Sequence, residues 1–469
     1  MVYGTLKFLF RITFKVFFRN VYKNRAELIP EKGPLIICAN HPGAFLDPIV
    51  IASIVKRKIF FLAKGSIFSS GFGKWFLSNL NIVPVYRQQD DPTQMHKNKE
   101  TFVRCFEHLG IGGALMIFPE GNSITERKLR PIKTGTARIA LGTLEKYGKE
   151  IGLKIQCIGL NFDDPHTFRH DAFISCSEPI KVADYFEKFK TEGFEAVEDL
   201  SEEIRKRLEE QMIHTVDGET DLLVADIEHL YKNDLLKEQG ISKKDKESAF
   251  GLSKRIVLTV NFFRDREPER VKKISKELRN YFSKLAELGL NDKVIKGGKS
   301  GSRWMKNLME VFFIIVGFPF FVFGFIHNYL CFFIASLLSR KLVKQKEYKG
   351  AVGAAAGMFL YLIWYIVLGI ISWKFMHHHS VFNRPGWEWL IYFISWPITG
   401  LFAWYYFKNF QYINKRWLMM SLFYRETKLV VELIQTRANL IKELEKAIAD
   451  RDKYGIEPWM YGGKKVSSQ

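Results

Sequence analysis

Hydrophobic and polar positions divide the chain into stretches of different period. In the first third, short apolar runs recur at residues 35–39, 82–85, 116–118 and 158–160, and each ends on polar residues, glycine or proline. Such bounded runs predict strands, and the helical stretch at 136–144 predicts an α/β unit. Over residues 182–300 charges alternate with apolar residues at helical spacing, most clearly at 202–213 and 271–288, and Gly297-Gly298-Lys299-Ser300-Gly301 reads as a linker. Three long apolar runs follow, at 311–338, 351–373 and 390–407, and the last two carry no charge. A further charged helix with a narrow apolar stripe is expected at 426–450.

A hydrocarbon core takes about 20 apolar residues per helix, so 351–373 and 390–407 predict two spans. The run at 311–338 is interrupted by Pro319, Gly324, His327 and Asn328. Lys293, Lys296, Lys299, Arg303 and Lys306 precede it, and Arg340, Lys341, Lys344, Lys346 and Lys349 follow it. Positive charge on both flanks assigns both to the cytoplasmic side, which favours a re-entrant hairpin over one kinked span. At the N-terminus Lys7, Arg11, Lys15 and Arg19 recur every four residues opposite a Phe-rich face. This predicts an interfacial helix on anionic lipid, with an amphipathic helix packed on its own domain as the alternative.

At 469 residues the chain exceeds the size of a single core. A net charge of +20 implies an anionic partner. Nothing reads as a zinc finger, helix-turn-helix or aromatic ribonucleoprotein motif, and the aromatics gather in the apolar runs, so lipid is favoured over nucleic acid. Cys38, Cys105, Cys157, Cys176 and Cys331 have no metal spacing and fit a reducing compartment. His377-His378-His379 lacks carboxylate or Cys neighbours and reads as an interfacial cap; His166 and His170 read as loop residues. No metal site is expected.

The chemistry begins where the first strand ends, in Asn40-His41-Pro42-Gly43-Ala44-Phe45-Leu46-Asp47. On a straight helix His41 and Asp47 would point about 120° apart. With Pro42 and Gly43 forming a turn, Asp47 falls in the first turn of the next helix and points back at the imidazole. Such a carboxylate fixes the tautomer while the His takes a proton from a hydroxyl. No nucleophile-elbow serine accompanies the pair, so the hydroxyl is the substrate's own. Asn40 holds either the turn or an oxyanion.

With Ile82-Val83-Pro84-Val85-Tyr86-Arg87, Phe118-Pro119-Glu120-Gly121-Asn122-Ser123 and Ile158-Gly159-Leu160-Asn161 following in order, these blocks resemble the glycerolipid acyltransferase family over roughly residues 35–179. The family's common form has four residues between His and Asp; here there are five. The longer form, together with residues 123–135, resembles a branch that includes yeast-type glycerol-3-phosphate/dihydroxyacetone-phosphate acyltransferases. The resemblance implies His41 and Asp47 as catalytic. It implies Arg87 on the acceptor phosphate, with Lys133, Arg130 and Lys64 adding charge. Glu120 would orient Arg87 or accept from a glycerol hydroxyl, Gly121 would allow close approach, Ser123 would donate a hydrogen bond, and Gly159 and Asn161 would shape the acyl-donor side.

The expected architecture is α/β, a mixed sheet flanked by helices, with a helical insertion and a C-terminal α-helical membrane region. Its parts are a surface helix at 1–30, a catalytic domain at 31–185, a helical region at 186–300, membrane segments at 301–410 and a cytosolic helix at 411–469. The expected function is transfer of an acyl group from acyl-CoA or acyl carrier protein to the sn-1 hydroxyl of glycerol 3-phosphate or dihydroxyacetone phosphate, on the cytoplasmic face of a membrane with anionic lipid, without a cofactor. A 1-acylglycerol-3-phosphate acyltransferase and a catalytically silent lipid-binding scaffold are the alternatives.

Overall fold

The computed structural model describes residues 2–65, 81–86, 92–242, 245–296, 304–343, 345–379 and 385–453. The chain forms two compact units, Met1–Thr215 with Leu338–Met358, and Val216–Leu337 with Phe359–Gln469.

The first unit is built on a mixed sheet of β1 (Phe18–Asn24), β2 (Leu35–Ala39), β3 (Phe60–Lys64), β4 (Ile82–Val85), β5 (Ala114–Ile117), β6 (Lys154–Phe162), β7 (His170–Cys176) and β8 (Ile180–Lys181). The order is β1-β7-β6-β2-β5-β3-β4, with β8 beside β6; β6 pairs antiparallel with β7 and β8, and the other pairs are parallel. All five residues of β2 are buried, as a strand covered on both faces requires. Alternate side chains serve two cores. Ile36 and Cys38 join α3 (Asn98–Gly110), α4 (Gly135–Tyr147) and α5 (Gly193–Gln211), while Leu35, Ile37 and Ala39 join α1 (Val2–Phe17) and α2 (Leu46–Ile54). Ala351 and Ala354 also enter the second core.

The catalytic unit is therefore wider than the expected 31–185. It begins within the segment assigned to lipid, because α1 ends at Phe17 and β1 pairs with β7. Two of the cationic positions of α1 reach back to the domain. Lys7 Nζ donates to Val55 O (2.9 Å) and Arg11 to Ser53 O (3.2 Å), satisfying carbonyls at the C-terminal end of α2. Arg19 forks onto Asp171 at 2.9 and 2.8 Å. The outward side carries Phe8, Ile12 and Val16, 62, 48 and 41% exposed, together with the exposed Lys15, so it is a mixed apolar and cationic surface.

The second unit holds α6 (Gly218–Ile227), α7 (Lys246–Arg266), α8 (Pro268–Glu287), α11 (Pro385–Arg425) and α12 (Thr427–Lys453), with α9 (Trp304–Leu342) up to Leu337 and α10 (Lys346–His378) from Phe359. The helices expected at 202–213 and 271–288 are α5 and α8. Three stretches, Asn307–Leu342, Tyr348–His378 and Gly386–Arg425, are long and apolar enough to cross a membrane. The expected hairpin at 311–338 is not formed: α9 is continuous through Pro319. Its polar centre is answered by neighbouring helices instead. Asn328 Nδ2 donates to Gly324 O (2.8 Å) and Trp396 O (3.0 Å), Tyr365 donates to Asn328 Oδ1 (2.6 Å), and His327 Nε2 lies 2.7 Å from the Tyr392 hydroxyl.

Candidate active site

Asn40, at the end of β2, clasps β6: its amide donates to Leu160 O (3.0 Å) and its carbonyl accepts from Leu160 N–H (2.7 Å). It thereby ties the two strands together at the site. The chain then turns, Leu46 N–H donating to Gly43 O (3.0 Å), and α2 begins. Asp47 falls in the first turn of α2 and is 0% exposed. His41 Nδ1 lies 2.8 Å from Asp47 Oδ2, which also accepts Gly43 N–H at 2.8 Å. That oxygen is an acceptor, so Nδ1 carries the proton and Nε2 keeps its lone pair. Among the described residues Nε2 has no protein partner.

The imidazole lies flat on Phe118, ring centroids 3.8 Å apart and planes at 12°. Its main chain is pinned as well, with His41 N–H donating to Glu120 Oε1 (2.9 Å) and His41 O accepting from Ile124 N–H (3.2 Å). Gly43 is required here, since a Cβ would sit 2.7 Å from Asp47 Oδ1. Ala44 takes a positive φ of 49°, and its N–H donates to Ser123 Oγ (2.8 Å). Ser123 thus accepts a bond that shapes the His turn, and its own O–H remains able to donate.

The second wall is the loop between β5 and α4. Glu120, expected to orient Arg87 or a substrate hydroxyl, spends its other oxygen on Arg130 N–H (3.1 Å), so one buried carboxylate ties both loops by their backbones. Lys133 N–H closes the loop on Pro119 O (2.9 Å). Gly121 has φ 74°, and a Cβ there would meet Lys133 Nζ at 3.2 Å, which places the ammonium over the glycine backbone. Arg130 reaches Glu126 at 3.4 Å. Lys64 stands exposed at the end of β3. Arg87 lies outside the described residues.

Gly159 and Asn161 are occupied by the fold. A Cβ on Gly159 would lie 1.9 Å from Gln211 O. Asn161 donates to that same carbonyl (3.0 Å) and accepts from Ile213 N–H (2.9 Å). They fasten the end of α5 to β6.

Sequence reasoning missed two contributors. Phe118, directly before Pro119 and Glu120, carries the imidazole. His166 reaches the same turn: Thr125 Oγ1 donates to Pro42 O (2.8 Å) and so accepts from His166 Nε2 (2.9 Å). Burial raises the Asp47 and Glu120 carboxyls above their ordinary values, opposed by the hydrogen bonds they accept. Burial also pushes the Cys38 thiol up to about 12, so it is no nucleophile at neutral pH. The arrangement is a buried carboxylate, an oriented imidazole whose second nitrogen has no partner among the described residues, and an ammonium over Gly121 in the adjoining loop, suited to deprotonating a hydroxyl on an anionic acceptor.

Residues 20–159 match the Acyltransferase family. The chain carries an acyltransferase domain. Two yeast proteins extend the likeness beyond it. Glycerol-3-phosphate O-acyltransferase 1 of Saccharomyces cerevisiae is 24% identical over 82% of this chain and 62% of its own length. Glycerol-3-phosphate O-acyltransferase 2 of the same organism is 24% identical over 62% of this chain and 52% of its own. The chain thus spans less than two thirds of these curated relatives. The crystal structure of the 1-acyl-sn-glycerophosphate (LPA) acyltransferase PlsC from Thermotoga maritima is matched at 21% identity over 42% of this chain and 79% of that one, with a TM-score of 0.30. Within the acyltransferase domain the family match reaches from β1 into β6 and takes in His41, Asp47 and Glu120.

Proposed function

We propose that the chain is a membrane-bound O-acyltransferase that moves a fatty acyl group from acyl-CoA or acyl carrier protein to the sn-1 hydroxyl of glycerol 3-phosphate or dihydroxyacetone phosphate. The observation that carries this reading is His41, its Nδ1 held by a buried Asp47 and its Nε2 without a partner among the described residues. Nε2 takes the proton from the acceptor hydroxyl as the oxygen attacks the thioester carbonyl. The new C–O bond forms, the C–S bond breaks, and the proton on the imidazolium passes to the leaving thiolate. Asp47 stabilises the imidazolium between the two transfers. No covalent acyl-enzyme or cofactor enters the scheme. The yeast relatives favour an unacylated acceptor; the alternative acceptor is the 1-acyl form.

The deciding assay offers both thioester carriers with glycerol 3-phosphate, dihydroxyacetone phosphate and 1-acylglycerol 3-phosphate to the purified protein and to His41→Ala. Turnover on an unacylated acceptor, lost in the variant, supports the proposal. Turnover on the 1-acyl acceptor alone moves the protein to the following acylation. Activity unchanged in His41→Ala removes the mechanism.

Lys133 is assigned to the acceptor phosphate. A charge-assisted hydrogen bond is worth about 1.5–3 kcal/mol, so Lys133→Met should raise KM for glycerol 3-phosphate roughly ten- to hundredfold. Initial-rate kinetics should show kcat nearly unchanged, because the phosphate is bound alike in ground and transition states.

The proposal also fixes how the apolar helices meet the membrane. Within the second unit α12 is locked to residues that precede α9: Arg437 pairs with Asp292 (2.8 Å) and Asp234 (3.2 Å), and Lys284 with Glu432 (2.8 Å). Chain leaving that body and returning to it makes an even number of crossings. Three helices among the described residues are long enough, so they do not all cross. α9, 39 residues and about 58 Å long, carries lysines and arginines at both ends and is the one assigned to stay in the near leaflet, while α10 and α11 cross as a pair. The native cysteines described are buried, which leaves engineered thiols readable. Cysteines at Lys293, Gln345 and Lys446 should label from one face of sealed vesicles and a cysteine at His378 from the other. Gln345 labelling opposite Lys293 would refute the assignment.

A further inference from the structure

The second unit contains a cavity of about 490 Å³ that the acyltransferase reading does not use, of a size ordinary for small-ligand sites. It lies among α6, α7, α8 and α12, with Ile227, Ile256, Val260 and Leu444 among the apolar residues of its wall. Arg255, Arg270 and Arg451 also line it.

The three cations differ in what answers them. Arg270 has carboxylates at 3.2 Å (Glu267) and 3.0 Å (Asp450). Arg255 donates to the Gln239 side chain at 2.8 Å. Arg451 is 6% exposed, and among the described residues its partner is the Thr259 hydroxyl at 3.2 Å, with no carboxylate. The nearby acids are engaged elsewhere: Asp450 and Glu267 hold Arg270, while Glu238 and Glu445 accept from the Tyr231 hydroxyl at 2.8 and 3.3 Å.

A guanidinium taken out of water without a counter-ion is costly, and an anion arriving beside it recovers much of that cost. Its fork suits a carboxylate or a phosphate. The apolar wall suits hydrocarbon. We propose that this cavity is a second, non-catalytic binding site for a single-chain anionic lipid, its chain against the Ile256 and Leu444 wall and its carboxylate or phosphate on Arg451. The site rests on the cavity and Arg451, independently of the reaction assigned to His41. If that reaction holds, ligands of this chemistry include its own kind of product, and the site would report product level to the enzyme.

The test is photolabelling of the full chain in neutral phosphatidylcholine nanodiscs with diazirine-bearing palmitate, mapped by peptide mass spectrometry. Label is expected on peptides of α7 and α12, in wild type and in His41→Ala alike. It should fall at least fivefold when the cavity is filled, by Ile256→Trp or separately by Ala447→Phe, and when Arg451→Gln removes the charge. Competition by unlabelled palmitate or by 1-palmitoylglycerol 3-phosphate tells a carboxylate ligand from a phosphate one; hexadecanol and inorganic phosphate should compete with neither. Label that persists in both filled variants overturns the site. Hexadecanol competing as well as palmitate overturns the role of Arg451. Label that appears only after removal of residues 454–469 overturns a lipid ligand in favour of the chain's own C-terminus.

Discussion

Asp47→Asn is expected to lower kcat about 10³- to 10⁴-fold while leaving the protein at least as stable at neutral pH. Asp47 Oδ2 alone meets both Gly43 N–H and His41 Nδ1. The amide keeps both bonds only with a neutral oxygen there, which leaves the imidazolium without its stabilising charge; with the NH₂ there it opposes Gly43 N–H and turns the tautomer so that Nε2 carries the proton. The magnitude is that of the corresponding Asp→Asn change in a Ser-His-Asp triad. The stability half follows from burial, which raises the Asp47 carboxyl. A group whose folded pKa lies above its unfolded value helps the fold most below the unfolded pKa, about 3.9, and loses that help as pH rises through the folded one. At pH 7 the ionised Asp47 is therefore a cost that Asn does not carry. Initial rates beside thermal melts at pH 5 and 7.5 would show it: activity lost at both, and the melting temperature of the variant rising relative to wild type at the higher pH. Full activity in Asp47→Asn would remove the carboxylate from the mechanism.

Gly159→Ala carries the largest expected structural effect. The new methyl would be driven into the backbone carbonyl of Gln211, 1.9 Å away, at a point fixed from several sides. Asn161 holds that carbonyl, and the Gln211 side chain accepts from Ser175 Oγ at 2.8 Å. A clash with backbone cannot be relieved by a rotamer change, so the end of α5 must leave β6. A loss of about 3 kcal/mol, roughly 10 °C in melting temperature, is expected by scanning fluorimetry. Gly135→Ala, where nothing lies within 4 Å, is the control and should change little.

These two positions show what the sequence made legible. The strand at 35–39, the turn after it and the approach of Asp47 to His41 are local, set by an apolar run, a Pro-Gly pair and helical phase, and they were readable from those alone. The roles of Asn40, Glu120 and Ser123 were not, because their partners lie 120, 79 and 79 residues away and no local period encodes such bonds. Residue type showed that each was polar and near the site; only the sheet order, which sets β2 between β5 and β6, showed what each holds. α9 failed for a related reason. Proline, histidine and asparagine in an apolar run read as a break, yet a helix keeps its course where neighbouring helices supply the missing partners, as Trp396, Tyr365 and Tyr392 do here.

The inward turn of Lys7 and Arg11 bears on how the N-terminus is held at a bilayer. A polybasic anchor loosens as ionic strength rises, since its attraction acts between solvated charges and fades within a Debye length. In α1 those two cations are already committed to carbonyls of α2, and the outward stripe is Phe8, Ile12 and Val16. The part of this helix's grip on lipid that comes from those three side chains scales with buried hydrocarbon area and does not fade with salt, which leaves the exposed Lys15 to supply the part that does.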